Sequence, residues 1–416
     1  MEALRTIVLA AGKGTRMKSA IPKVLHEIGG RPLIRYVLEV AKAAGSLKTY
    51  LVLGHKADEV QEAVGREYVF LRQTELLGTA DAVRRAEIAL RGYTGDVLIL
   101  CGDTPLLNKR VIARQVRQHR RERQVCTLLT ATVEDPRGYG RIIRKNGGVV
   151  AIREQKDASA AEKAIKEINV GVYCVRAPLL FEALAKIKKN PRKQEFYLTD
   201  MVAYFVERGL KVGAVRTQDP LEGLGVNTRE DLAVAEAVMR RKILTEWMRK
   251  GVTIQDPATT YIAPGARIGQ DTIIRPFTVI EEGVRVGRHC RIGPFARLRT
   301  GTRLHDHVEI GNFTEISRSE IGADVFMKHF SYVGDAVVGK RVNIGAGTIT
   351  ANFDGKTKHS TRVEAGAFIG CDTVLIAPVK VGRGAVVAAG SVVTKGTVIP
   401  DKGVVMGVPA ELKRVL

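Results

Sequence analysis

Cysteine is scarce and scattered along this chain. The five residues Cys101, Cys126, Cys174, Cys290 and Cys371 are odd in number and join no CxxC pair or Cys/His cluster. That pattern argues against a disulfide framework and against structural zinc, and leaves most of them as small buried hydrophobes. Aromatic residues are only 5% of the sequence, with a single Trp, too few for a base-stacking platform. No stretch approaches the roughly 18 apolar residues that span a bilayer. The opening MEALRTIVLAAGKG runs into an apolar strand without the apolar region and small-residue cleavage site of a secretory signal. The expectation is a cytoplasmic protein with no membrane partner and no nucleic-acid partner.

What is abundant is positive charge: 66 Lys and Arg against 44 Asp and Glu, a formal charge of +22 over 416 residues. Counterion release on nucleic acid is one reading of that excess; phosphorylated substrates or a basic surface are the others. The densest run, Arg114 to Arg123 (RQVRQHRRER), reads as a solvated helix face. Hydrophobic content of 45% and charged content of 26% are ordinary for a globular chain. The length exceeds what one core usually supports, so two domains are expected.

Two periodicities divide the sequence. Over residues 1–227 short apolar runs alternate with helical stretches: strands at Thr6–Ala10, Tyr50–Leu53 and Val97–Leu100, and helical spacing over Pro32–Ala44. Such alternation predicts a Rossmann-like α/β domain with a mostly parallel sheet, whose ligands bind beyond the carboxyl ends of the strands. Residues 228–250 read as one connecting helix with Thr228 as N-cap and Gly251 as stop.

From 251 to 416 the period is six. Ile262, Ile268, Ile274, Ile280, Val286, Ile292, Leu298, Leu304, Ile310 and Ile316 are successive sixth positions; the register slips near Ile321 and returns from Ile369 to Val405. One inward aliphatic per short strand predicts a parallel β-helix, with positions eighteen apart stacked on one face.

Chemistry must come from particular side chains. Leu9-Ala10-Ala11-Gly12-Lys13-Gly14-Thr15-Arg16 follows the first strand directly, and Lys23 lies close behind. Glycines let backbone amides approach phosphate, and the cations neutralise it. LAAGKGTRM…PKVL resembles the signature of nucleotide-sugar pyrophosphorylases. QTELLGTA (73–80), GDTPL (102–106), GYGR (138–141), EQKD (154–157), EINVG (167–171) and GVN (225–227) extend the likeness in order. With the hexapeptide half attached, the chain resembles, end to end, the family of bifunctional N-acetylglucosamine-1-phosphate uridylyltransferase / glucosamine-1-phosphate acetyltransferase enzymes, which implies a left-handed β-helix.

That resemblance implies roles. Leu9, Ala10, Ala11, Gly12, Lys13, Arg16 and Lys23 would contact UTP and its phosphates, with Gly102 beside them. Gln73, Gly78 and Thr79 would recognise uracil. Asp103 and Asn227 would hold Mg²⁺, which takes oxygen ligands and keeps several waters beside phosphates. Gly140, Glu154, Asn169, Tyr197 and Thr199 would bind the N-acetylated sugar. Leu76 stands where the family often carries a polar residue.

In the second half FARLR (295–299), GNF (311–313), HFSYVGD (329–335), NIGAGT (343–348) and NFDGKTK (352–358) match the acetyltransferase part. Imidazole exchanges protons near neutral pH, so His329 is the expected general base, taking a proton from the attacking amine. By resemblance, Arg299, Tyr332, Asn343 and Lys358 would bind glucosamine-1-phosphate, and Ala346, Asn352, Phe353, Cys371 and Ala389 would line the acetyl-CoA path. The family would place a lysine eighteen residues beyond Arg299; here that position is Ser317, with Arg318 or Lys328 as substitutes. Gly407 replaces a usual arginine, and Phe353 a tyrosine. The resemblance also implies a homotrimer feeding cell-wall precursor synthesis. Two other readings stand beside it: a uridylyltransferase whose β-helix is a trimerisation scaffold or acetylates a different amino sugar, and a non-enzymatic binder of nucleic acid favoured by charge alone.

Overall fold

The structure, a computed structural model, describes residues 3–191 and 194–415. They fall into two compact units, Met1–Ala237 and Val238–Leu416. In the first, nine strands build one sheet: β1 (Arg5–Ala10), β2 (Lys48–Leu53), β3 (Val69–Arg72), β4 (Asp96–Cys101), β5 (Cys126–Thr132), β6 (Arg141–Lys145), β7 (Gly148–Arg153), β8 (Glu167–Arg176) and β9 (Val212–Arg216). The order is β9-β5-β8-β4-β1-β2-β3, with the β6–β7 hairpin hung from β8. β1 pairs in parallel with both β2 and β4, Leu9 lying opposite Val52 and Cys101, while β8 runs antiparallel to β4 and β5.

Alternate residues of the central strands enter two separate apolar layers, as a sheet covered on both faces requires. Ile7, Tyr50, Val52 and Ile99 pack with helices Thr79–Arg84, Ala177–Lys186 and Asp200–Glu207. Val8, Leu51, Leu53 and Leu100 pack with helices Leu33–Ala43, Ala57–Val64 and Lys109–Arg121. The arginine-rich run is therefore not solvated all round. Gln115, Val116 and His119 are buried on its inner face, and Gln115 Nε2 donates to Thr127 O at 2.8 Å.

A single helix, Arg229–Arg249, passes from the first unit into the second. Thr228 starts it reciprocally: Asp231 N donates to Thr228 Oγ1 (3.1 Å) and Thr228 N to Asp231 Oδ2 (2.9 Å).

In the second unit, short strands stack in parallel into three sheets, one per side of the coil: the first starts at Thr253–Ile254, the second at Tyr261–Ile262 and the third at Arg267–Ile268, and the strand Glu411–Val415 closes the first sheet antiparallel. Most of the two-residue strands expose one residue and bury the next, as in Arg291–Ile292 and Arg303–Leu304, so the sixth-position aliphatics form one continuous interior. The slip near Ile321 has a simple cause. The third sheet pairs Arg267, Arg285, Arg303, Glu320, Val337, Arg362, Lys380 and Val398 in succession. Two coils are thus one residue short, and the next carries an excursion over 352–360. Glycines at the corners permit the tight stacking; a Cβ at Gly311 would lie 1.7 Å from Lys328 O. Replacing Ile310, fully buried in the stack, with alanine is expected to cost about 2–5 kcal/mol, read as a lower denaturation midpoint of this unit.

Candidate functional sites

The loops that follow β1 to β4 leave the sheet at one edge, because those strands run parallel in register. Leu9, Ala10, Ala11, Gly12, Lys13, Lys23, Gln73, Gly78, Thr79 and Asp103 line one cleft of about 360 Å³ there. Gly102 closes its floor by donating its N–H to Leu9 O at 2.8 Å.

Gln73, Gly78 and Thr79 are held from beneath. Gln73 is buried; its Nε2 donates to Gly78 O (3.1 Å) and to Asp81 Oδ2 (2.8 Å). Asp81 is steadied in turn by Arg85 Nη2 at 2.9 Å. Gly78 sits at φ +103°, and a Cβ there would come 2.6 Å from Phe196 O, so only glycine fits without displacing backbone. Thr79 Oγ1 accepts from Leu198 N at 3.1 Å.

At the other end, Lys23 gathers the two oxygens expected to hold a cation. Its Nζ is ion-paired with Asp103 Oδ2 and donates to Asn227 Oδ1 at 3.1 Å. Arg16 Nη2 reaches the same Asn227 oxygen at 3.0 Å. A backbone bond from Val226 N to Asp103 O (2.9 Å) ties the two loops.

Behind the cleft, Thr199 Oγ1 donates to Glu154 Oε1 at 3.1 Å and Asn169 N to Gly140 O at 2.8 Å. Asn169 Nδ2 also bonds Tyr173 OH at 2.7 Å. Burial and the nearby carboxylates of Asp157, Glu195 and Glu154 push the Tyr197 hydroxyl up to about 12. Tyr197 therefore stays a neutral donor across the working range. Burial likewise pushes the Cys101 thiol, which lines the cleft, up to about 12 and leaves it inert.

In the β-helix, the corner between the first and second sheets gathers residues from coil after coil. Gly347 N donates to Phe330 O (2.7 Å), Asp372 N to Ala346 O (2.6 Å) and Gly390 N to Cys371 O (2.8 Å). His329, Ala346, Cys371 and Ala389 thus form one file up the corner, with the His329 residue exposed and Gly407 on the coil above Ala389.

A second group lies on the second sheet and the excursion. Arg299 Nη1 donates to Glu315 Oε1 at 2.9 Å, which favours its charged form, with Tyr332 close by. Arg318 forks onto Asp335 at 2.6 and 2.8 Å and also donates to Ser317 Oγ at 2.7 Å. The Lys358 charge helps hold the Asp335 carboxyl below its usual range, after the larger effect of Arg318. Arg318 therefore stands beside the Arg299–Tyr332 group. Lys328 reaches Glu309 at 3.4 Å instead. Asn352 is buried with its amide on Asp335, and Phe353 lies exposed, bridged to Lys358 across the excursion. Asn343 is not brought to Tyr332 within the chain: it pairs with Phe326 and Phe368 on the first sheet.

Residues 6–197 match the model of the MobA-like NTP transferase domain, and residues 265–300 and 360–395 that of the bacterial transferase hexapeptide (six repeats). A Bifunctional protein GlmU from Halalkalibacterium halodurans is 44% identical over 423 residues, covering 94% of this chain and 93% of that one. One from Pelotomaculum thermopropionicum is 46% identical over 414 residues, covering 91% and 90%. The chain belongs to the bifunctional GlmU family. Its two halves are accordingly two transferase units of one enzyme.

Sequence reasoning missed several residues that shape the GlmU-type sites. Glu195 lines the cleft of the first unit. At Gly54 a Cβ would meet Ala11 O at 2.6 Å. Asp335 ties Arg318 to the Asn352 amide. None carries a local signal, apart from Asp335 within HFSYVGD, because each acts through a partner distant in sequence. Among the described residues no group of three or more His, Cys, Asp or Glu gathers as for a metal, and no helix is long and apolar enough to cross a membrane.

Proposed function

We propose that the first unit transfers a uridylyl group from UTP to N-acetylglucosamine-1-phosphate, releasing pyrophosphate, and that the β-helix first acetylates glucosamine-1-phosphate from acetyl-CoA. The observation that carries the first step is the Lys23 ammonium held between Asp103 Oδ2 and Asn227 Oδ1. Two oxygens converge on a cation at the mouth of a glycine-lined cleft.

That donor set suits magnesium. One carboxylate and one amide oxygen, with no sulfur or imidazole, match a hard ion that keeps waters and shares substrate phosphates. Asp103 and Asn227 would hold it, and it would supply charge neutralisation at the phosphates. The protein's own part is alignment. Backbone amides of Ala10 to Gly12 face the triphosphate, while Lys13, Arg16 and Lys23 balance its charge. Gln73 and Gly78 hold uracil, and Gly140, Glu154, Asn169, Tyr197 and Thr199 orient the sugar phosphate to attack the α-phosphate in line.

In the β-helix, His329 at the foot of the corner file would take the amine proton as nitrogen attacks the thioester carried along Ala346, Cys371 and Ala389; the C–S bond then breaks and coenzyme A leaves as its thiol. Arg299, Arg318 and Lys358 supply cations for the sugar phosphate, Arg318 standing in for the lysine absent at Ser317. The separation of Asn343 from Tyr332 supports acceptor sites completed between chains, and with the hexapeptide repeat favours a homotrimer in the cytoplasm.

A coupled assay tests the whole reading. Purified protein given glucosamine-1-phosphate, acetyl-CoA, UTP and Mg²⁺ should form UDP-N-acetylglucosamine. Failure with N-acetylglucosamine-1-phosphate as well would overturn it. Product from the N-acetylated substrate alone would restrict the chain to uridylyl transfer, with the β-helix as scaffold or acting on another amino sugar.

A further inference from the structure

The third sheet of the β-helix carries a feature that neither transfer uses. Its outward residues on three successive coils are Arg267, Arg285 and Arg303, all exposed and paired directly in register. Neighbouring coils stand about 4.8 Å apart, so three guanidinium stems are fixed in one line parallel to the coil axis. Like charges directly opposite across strands are destabilising.

Some other exposed arginines of the β-helix are neutralised. On the second sheet Arg297 pairs with Glu281 at 2.7 Å, and Arg299 with Glu315 at 2.9 Å. On the third sheet none of the three enters an ion pair or a side-chain hydrogen bond among the described residues. The fourth rung is Glu320, in register with Arg303; its carboxylate accepts from His305 Nε2 at 2.7 Å and also feels the Arg303 charge. Counter-charge thus reaches the line only at its Arg303 end, and Arg267 and Arg285 keep their mutual repulsion with no ion-pair partner among the described residues.

We infer that this arginine ladder binds a linear phosphate polymer without bases, of the inorganic polyphosphate type. Three observations select that ligand. All three rungs are arginine, whose planar fork fits phosphate oxygens two at a time where lysine offers only a point charge. The charges form a line, which suits a chain molecule lying along the axis better than a lamellar surface. And the face itself carries no Phe, Tyr or Trp: the aromatic stack Phe277–Phe295–Phe313 stands at the corner between the other two sheets, and the rings at the ladder's own corner are the stacked imidazoles of His289 and His307.

The test compares the full chain with Arg267→Gln/Arg285→Gln/Arg303→Gln, using long-chain inorganic polyphosphate as the probe over a series of salt concentrations. The unsubstituted chain should bind, and its unfolding temperature should rise with polyphosphate. The triple variant should bind at least about tenfold more weakly, with a log–log salt slope shallower by about 2, and its unfolding temperature should not respond. Arg285→Gln alone should show a smaller loss of the same kind. An unfolding temperature of the β-helix unit, without polyphosphate, no lower than the parent's confirms that both variants fold. Equal polyphosphate binding by parent and triple variant overturns the inference. So does tighter binding of oligo(dT) or anionic phospholipid vesicles than of polyphosphate, or a change of oligomeric state in the variant, which would make the ladder a contact between copies of this chain.

Discussion

Replacing Asp103 with alanine is expected to lower pyrophosphate release from UTP and N-acetylglucosamine-1-phosphate about 10³-fold or more, while acetyl transfer continues at the parent rate. The magnitude follows from removing a preorganised charged group at the reacting phosphates. Asp103 is only partly exposed, and its carboxylate is half of the oxygen pair that closes on Lys23. Without it the proposed cation loses its only carboxylate, and the Lys23 ammonium keeps Asn227 alone. Asp103→Asn separates charge from shape: it can still accept from Lys23 but carries no charge, and should be nearly as impaired. If Asp103 were merely a turn-former before Pro105, the asparagine would restore activity. Parent-like pyrophosphate release by the alanine variant would sink the proposed site.

The second large effect is expected at His329. Alanine there should reduce acetyl-CoA consumption with glucosamine-1-phosphate by about 10²- to 10⁴-fold, the usual range for losing a general base, and leave uridylyl transfer unchanged. His329 stands at a corner of the coil and not in a core, so the substitution creates no cavity. Loss of activity without loss of unfolding temperature is thus the distinguishing result. A drop of less than about fivefold would assign the proton transfer elsewhere. His359, whose Nε2 lies 2.6 Å from Asp354 Oδ2 in the excursion, would be the next residue to substitute.

Much of the first site was legible because its parts are local signals. The Leu9–Arg16 loop had to sit at a strand's carboxyl end, since a strand, a glycine pair and cations follow one another in sequence. The β-helix was legible for a similar reason: a six-residue period admits neither helix nor ordinary alternating strand. Its slip at Ile321 was visible but not its cause, because coils of seventeen residues look like lost periodicity until the strands are paired. The buried face of Lys109–Arg121 was hidden by composition. Gln115 and His119 are buried there because Thr127 meets both side chains, Oγ1 lying 2.9 Å from His119 Nδ1.

By itself the sequence determined the two architectures, the glycine loop, the order of the motifs and the identity of the groups able to hold phosphate or move a proton. These are properties of residue type and spacing along one dimension. Tertiary structure alone decided that Lys23, Asp103 and Asn227 converge, that Arg318 rather than Lys328 stands beside Arg299, that Asn343 lies away from Tyr332, and that Arg267 and Arg285, already placed in one file by their eighteen-residue spacing, find no ion-pair partner among the described residues. Each of those depends on strand register and coil length, through which a one-residue change moves every later side chain relative to its neighbours.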